Sequence, residues 1–232
     1  MNPRVLVGCP TSFHKEYCIE LYADSIKNLT YNNYDILLVD NSPDEKYLNK
    51  IKSLGINAIK GLYYESARDR IVASRNLLKE YVLKNNYDYL LSLEQDVIPP
   101  PDIIERMLSH NKKVISGVYF ARNVFENEKI LIPLAYVEMP SKNDLPSMRP
   151  LNEFELFYGP NLIKIISCGL GCVMIHKSIL NNIQFRYDLN TFDDRWFCID
   201  LLNKKIPLYC DTSIKCRHMI LNRPYQWAEI KK

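Results

Sequence analysis

The feature that most constrains this chain is an alternation in its first 120 residues. Short apolar runs take turns with stretches that carry apolar residues at helical spacing. The runs are RVLVGC (4–9), YDILLV (34–39), residues 56–62, residues 87–93 and residues 113–119. Between them lie 14–29, with Cys18, Leu21, Tyr22, Ser25 and Leu29 in register, then 44–54, stopped by Gly55. Residues 66–85 follow, with a stripe of Ala67, Ile71, Ser74, Leu78, Tyr81 and Val82, and then 102–110. Strand and helix in turn predict an α/β fold, a parallel sheet with helices on both faces. Ligands of such sheets sit beyond the carboxyl ends of the strands. Three of the predicted ends are polar: Pro10-Thr11, Asp40-Asn41 and Glu94-Gln95-Asp96.

Beyond residue 120 the pattern loosens. Residues 139–160 carry four prolines and little periodicity, which predicts a long loop, a candidate to close over a ligand. Gly169-Leu170-Gly171 precedes another apolar run, 172–175; a helix is expected at 193–204, and short strands at 207–210 and 213–218. The whole chain, 1–232, reads as one domain.

A chain of 232 residues with 47% apolar content can bury a sizeable core. Its net charge of +3 is too small, and too evenly spread, for a nucleic-acid binder, and it leaves anionic substrates open. The first apolar run is short for a signal peptide, and no stretch nears the roughly 18 apolar residues of a membrane span. The expectation is a soluble cytoplasmic chain, with peripheral membrane contact open. Seven cysteines without a CxxC pair predict buried thiols rather than disulfides, and Cys216 with His218 lacks zinc-finger partners.

The stretch SLEQDVIPP (92–100) ends a buried-looking strand in two acids. In extended chain, residues i and i+2 share a side, so Glu94 and Asp96 can converge on one cation. Two carboxylates with open positions suit Mg²⁺ or Mn²⁺. The alternative is that Asp96 or Asp102 caps the following helix and Glu94 is solvated. His218, from a distant segment, is a structural histidine or a late nitrogen ligand. Asp193 and Asp194 open a helix; they favour its dipole, or one is a general base. Arg68, Arg70 and Arg75 share one helix; Arg70, in its first turn, could meet a nucleotide or phosphate, and a solvated face is the other reading for each. Asp40 could accept from a nucleoside or simply shape the DNSPD turn. The sequence has no GxxxxGK[ST], GxGxxG or GxSxG.

Taken in order, strand-Pro-Thr, strand-Asp40, Arg70 with Ser74-Arg75-Asn76, YLLSLEQDVIPP, SGVYFAR, SCGLGCVMIHKSIL, FDDRWFC and IKCRHM resemble family 2-like glycosyltransferases of the GT-A fold. The resemblance spans nearly the whole chain. It implies a mixed, mostly parallel sheet, with a nucleotide-sugar half at 1–120 and an acceptor half at 121–232. It implies that Pro10, Thr11, Asp40, Arg70, Arg75, Glu94, Gln95 and Asp96 hold the donor. It further implies Mn²⁺ or Mg²⁺ on Asp96, with Glu94 and His218 beside it. Asp194 stands at the catalytic acid position, with Asp193 in place of the usual Glu; Gly169, Gly171 and Trp196 fall on the acceptor side. Glu-Gln-Asp replaces Asp-x-Asp, and the QxxRW motif of processive synthases is absent. The implied activity is metal-dependent, inverting transfer of a single hexose from a nucleoside-diphosphate sugar, such as a UDP- or GDP-sugar. The acceptor would be a glycan, a lipid-linked group or a protein. A sugar-phosphate nucleotidyltransferase and a non-catalytic sugar-binding relative are the alternatives; GCPTSFHKEY is poor in the glycine and basic residues the former needs.

Overall fold

The computed structural model describes residues 2–125, 128–140, 147–220 and 223–224. Its first half follows the alternation. The strands are β1 Val5–Thr11, β2 Tyr34–Asp40, β3 Ala58–Lys60 and β4 Tyr89–Leu93, and the helices between them are α1 Ile19–Lys27, α2 Lys46–Ser53 and α3 Ala67–Lys84. A short β5 (Val97–Ile98), α4 (Ile103–Ser109) and β6 (Val114–Val118) complete it. Strand side chains alternate between faces. Val5, Val7 and Cys9 therefore pack with α1, α2 and α4, through Ile19, Tyr22, Ile51 and Met107. Leu6 turns to the other face, toward Leu78 and Val82 of α3. Gly8 shares that face, and a Cβ there would lie 2.9 Å from Leu78, so the glycine lets α3 lie close on the sheet.

The second half departs from the expectation. Phe120–Phe125 (β7) and Glu128–Pro133 (β8) pair antiparallel, and β9 (Ala135–Met139) pairs with β10 (Ser147–Pro150). Part of the predicted loop is therefore ordered: β10 is followed by α5 (Glu153–Phe157). A capping box between Asn152 and Glu155 starts that helix, and Arg149 grips Glu155 at 2.7 and 2.9 Å. Residues 141–146 of the expected lid lie outside the described residues. Next come β11 (Leu162–Ile165), β12 (Ser167–Cys168), β13 (Cys172–His176), α6 (Lys177–Leu180) and α7 (Asp193–Asn203). The two expected terminal strands are one strand, β14 (Leu208–Lys215), with a register shift between Cys210 and Lys215, followed by β15 (Arg217–Ile220) and β16 (Arg223–Pro224).

The main sheet has eight strands in the order β11-β14-β6-β13-β4-β1-β2-β3. It is mixed: β1, β2, β3 and β4 are parallel, while β13 runs antiparallel between β4 and β6. From β1 the chain steps outward to β2 and β3, then returns to β1's other side as β4. The strand order reverses between β1 and β4, and their carboxyl ends part there into a crevice, the usual ligand position of open α/β sheets. Among the described residues no helix is long and apolar enough to cross a membrane.

Candidate active site

Thr11 ends β1 and Glu94 follows β4, so the switch point brings both to one place. A tight turn shapes the acidic stretch: Val97 N–H donates to the Glu94 carbonyl at 2.8 Å, and Glu94 N–H to that of Gly171 at 2.9 Å. Glu94 and Asp96 face one side; Gln95 points inward and is fully buried. Its carbonyl oxygen accepts from Thr11 and from the Tyr47 hydroxyl (2.7 Å), and its amide donates to the Lys15 carbonyl. Gln95 therefore ties β4 to the segment after β1.

The two acids meet cations of this chain. Lys15 lies in the 3₁₀ turn Phe13–Cys18. Its ammonium is 2.9 Å from Asp96 Oδ1 and 3.3 Å from Glu94 Oε2. Arg75, only 5% exposed, spreads its guanidinium over three partners: Nη2 to Glu94 Oε1 at 2.6 Å, Nε to Asp193 Oδ2 at 2.5 Å, and Nη1 to Ser92 Oγ at 3.1 Å. One buried arginine thus joins the acids after β4 to the acids that open α7.

Residue 218 arrives by pairing. β15 runs antiparallel to β5, with His218 opposite Val97, and Met219 N–H donates to the Asp96 carbonyl at 2.6 Å. The His218 ring then has Nε2 3.5 Å from Asp96 Oδ2 and Nδ1 2.5 Å from the Phe120 carbonyl. A carbonyl only accepts, so Nδ1 carries a proton and Nε2 is the nitrogen turned to the acid. Tyr119 packs edge-on against the ring at 5.3 Å. Its hydroxyl accepts from Gly171 N–H at 2.9 Å. A Cβ on Gly171 would lie 2.7 Å from Tyr119, and one on Gly169 would be closer still. Both glycines are therefore where the backbone presses on the Tyr119 ring.

Charge is unevenly compensated. Burial works against ionising Asp96, yet His218 and Lys15 outweigh it and bring its pKa down to about 2. Glu94 is likewise lowered: Lys15 and Arg75 overcome its burial. His218 is raised, since Asp96 overrides burial. Asp194 goes the other way: burial, then the neighbouring Asp193 charge, raises its pKa. Its Oδ1 accepts from Arg195 N–H at 2.6 Å, and no salt bridge to it forms among the described residues. Four carboxylates (Glu94, Asp96, Asp193, Asp194) face two permanent cations, Lys15 and Arg75, an excess of two negative charges before His218 is counted.

The donor chemistry of Glu94, Asp96 and His218, carboxylate oxygens and a neutral-capable imidazole nitrogen, fits a divalent cation. The Phe120 carbonyl orients the ring as metal-site histidines are oriented. As placed, the two acids hold an ammonium instead, with His218 on the other oxygen of Asp96; among the described residues no three His, Cys, Asp or Glu side chains gather closely enough to hold an ion. Alongside runs a cleft of about 120 Å³ lined by Pro10, Thr11, Ser12, Lys15, Asn41, Ile71 and Glu94.

Compared with known proteins, the sequence matches no protein-family profile and no curated protein. Solved structures do match. A197 from STIV superposes with a TM-score of 0.52 at 17% identity, over 95% of this chain and 87% of A197. TarS from S. aureus in complex with UDP-GlcNAc superposes with a TM-score of 0.51 at 14% identity, over 85% of this chain and 52% of the TarS chain. A second S. aureus TarS structure gives 0.52 at 13% identity, over 85% of this chain and 54% of its own. This chain thus spans about half of either TarS chain. It has a GT-A fold.

On the GT-A frame the expected residues separate into groups. Glu94, Asp96, His218, Arg75 and Asp193 form one connected cluster, with Asp194 next to Asp193 at the start of α7. Pro10 and Thr11 line the cleft. Asp40 is buried and engaged locally: its Oδ1 accepts from Ser42 N–H (3.0 Å) and Oγ–H (2.5 Å), and Lys60 holds Oδ2 at 2.8 Å. Arg70 folds back onto the Tyr64 and Glu65 carbonyls and over the Tyr63 ring, and Arg68 reaches the Asp188 and Leu189 carbonyls. Trp196 donates to Asp188 at 3.2 Å under the Arg186 guanidinium. Cys216 is a buried thiol 3.5 Å from Cys172, as the cysteine usage suggested. Lys15, Ser92 and Tyr119 were not anticipated; a lone basic residue five positions past Pro10 was the only sign of Lys15.

Proposed function

We propose that this chain is a glycosyltransferase that moves one sugar from a nucleoside-diphosphate sugar to an acceptor hydroxyl. The observation that carries the reading is the coupling at the GT-A switch point. Arg75 pairs with Asp193 and Glu94 together, and leaves Asp194 half-buried beside them with no salt bridge among the described residues. A carboxylate of raised pKa at that point suits a general base.

In this reading the first half of the chain holds the donor along the cleft of Pro10, Thr11 and Asn41. Asp194 takes the proton from the acceptor O–H. The oxygen forms its bond to the anomeric carbon from the face opposite the phosphate. The carbon–oxygen bond to the diphosphate breaks, and its electron pair leaves with the diphosphate. Configuration inverts. Mn²⁺ or Mg²⁺, held by Asp96 and His218 with Glu94 beside them, would neutralise charge on the departing diphosphate. Arg75 keeps the acids after β4 and those of α7 at fixed separation, so donor and base stay aligned. A uridine donor is favoured among bases, because the matching TarS structure holds UDP-GlcNAc.

The test is a thermal-shift panel of UDP-, GDP- and dTDP-sugars with Mn²⁺, followed by donor turnover on the one that binds. A ligand that binds only the folded state raises the melting temperature. A shift with one nucleotide, and product formation abolished in Asp194→Asn, is the expected result. Full turnover by Asp194→Asn would remove it as base; no shift with any donor would remove the donor class.

A further inference from the structure

Lys15 stands where the acidic pair would receive a divalent ion. We infer that the Lys15 ammonium and a divalent cation are alternative occupants of the Glu94–Asp96 pair, the lysine closing the site until a metal displaces it.

Geometry is the first support. The ammonium bridges one oxygen of each acid, at 2.9 and 3.3 Å, while the other Asp96 oxygen faces His218 Nε2 at 3.5 Å. Withdrawing Lys15 would free one oxygen of each acid, a carboxylate pair for Mn²⁺ or Mg²⁺, with the His218 nitrogen on the other oxygen of Asp96.

Reach is the second. Lys15 sits on the short 3₁₀ helix Phe13–Cys18, carries a flexible four-carbon stem and lines the cleft. The cleft holds about 120 Å³, small beside the roughly 300–1,000 Å³ of ordinary ligand pockets, and Lys15 forms part of its wall.

Charge is the third. Before His218 is counted, the cluster holds two negative charges in excess with Lys15 in place, and a diphosphate adds more. One ammonium cannot serve both the carboxylates and an incoming phosphate. If a dication takes the carboxylates, the ammonium is released at the mouth of the cleft and can meet phosphate oxygens. That role for the released lysine rests on the glycosyltransferase reading; the competition for the carboxylates does not.

The experiment is a Mn²⁺ titration without any donor, with free Mn²⁺ read from its paramagnetic resonance signal. Wild type, Lys15→Met, Lys15→Gln and the double variant Lys15→Met/Asp96→Asn are compared, each checked for folding by circular dichroism. Both single variants should bind Mn²⁺ at least ~10-fold more tightly than wild type, because the competing charge is gone. The double variant should lose that gain. Mn²⁺ should also raise the melting temperature of the single variants more than that of wild type. Equal affinity in wild type and in whichever single variant folds would overturn the inference, as would no Mn²⁺ binding by any of them. Neither result touches the donor-binding test above.

Discussion

Two strand ends on either side of β1 each carry a buried aspartate clasped by a lysine, and they do different things. At the end of β2, Lys60 holds Asp40 at 2.8 Å; its ammonium also donates to the Ser42 and Asp44 carbonyls, and Ser42 satisfies the other carboxylate oxygen. Most of those partners lie within the DNSPD turn. Past the end of β4, Lys15 holds Asp96 at 2.9 Å, but its remaining reach goes to a second carboxylate, and beside it lies a cleft. The first pair is locked by local hydrogen bonds. The second is assembled from the 3₁₀ helix, the β4 end and β15, and its two acids share one ammonium. A carboxylate–lysine contact alone therefore does not separate structure from function. The accounting of the remaining donors and acceptors does.

The largest effect should separate binding from chemistry. Asp194→Asn keeps the shape of the α7 start and removes the base. Transfer should fall about 10²–10⁴-fold with donor affinity unchanged, measured as kcat against Kd. In the pH profile, transfer should fall on acidification through a pKa above that of an ordinary aspartate, since the buried carboxylate must be ionised to accept a proton. That limb should vanish in the variant.

Arg75→Met breaks the bridge between both acid pairs and strands buried carboxylates. It should cost about 3–5 kcal/mol in urea unfolding. Lys60→Met, whose partner Asp40 is fully buried but whose own side chain is partly exposed, should cost less, about 2–3 kcal/mol. The comparison is sharpened by Mn²⁺: Lys60→Met should leave its affinity at the wild-type value. Equal Mn²⁺ gains in the Lys60 and Lys15 variants would break the distinction between the locked and the open pair.

Gly171→Ala forces a Cβ against Tyr119 and should cost about 1–3 kcal/mol, seen as a lower melting temperature. The smallest effect concerns acid stability. Asp96 is held near 2 in the folded chain, below the roughly 3.9 of an unfolded aspartate. Its contribution is therefore complete above about pH 4 and is lost as pH falls toward 2. Asp96→Asn should flatten that part of the stability–pH curve.

What the sequence made legible follows from range. Helices and parallel strands up to β6 announce themselves by local period, and the acids at their ends stand out against apolar runs. Glu94, Asp96, Asp193, Asp194 and His218 were visible that way. Lys15 was not: a 3₁₀ turn has no amphipathic period, and its partners lie 79 and 81 positions away. Tyr119 carries no signal of its own at the end of an apolar run, and the Cβ-free backbone at Gly169 and Gly171 shows what it packs against. The proline-rich stretch misled because proline is compatible with an edge strand. Pro150 closes β10, at the edge of the three-stranded sheet β10-β9-β12. Asp40 was readable both as a ligand contact and as a turn residue, and its hydrogen bonds are those of the turn.

The most direct test is calorimetric titration of UDP in the presence of Mn²⁺ into wild type, Asp194→Asn and Asp96→Asn. UDP should bind wild type and Asp194→Asn alike and lose most of its affinity for Asp96→Asn. Undiminished binding by Asp96→Asn, or no binding of UDP, GDP or dTDP to wild type, would contradict a nucleotide-sugar site at the end of β4.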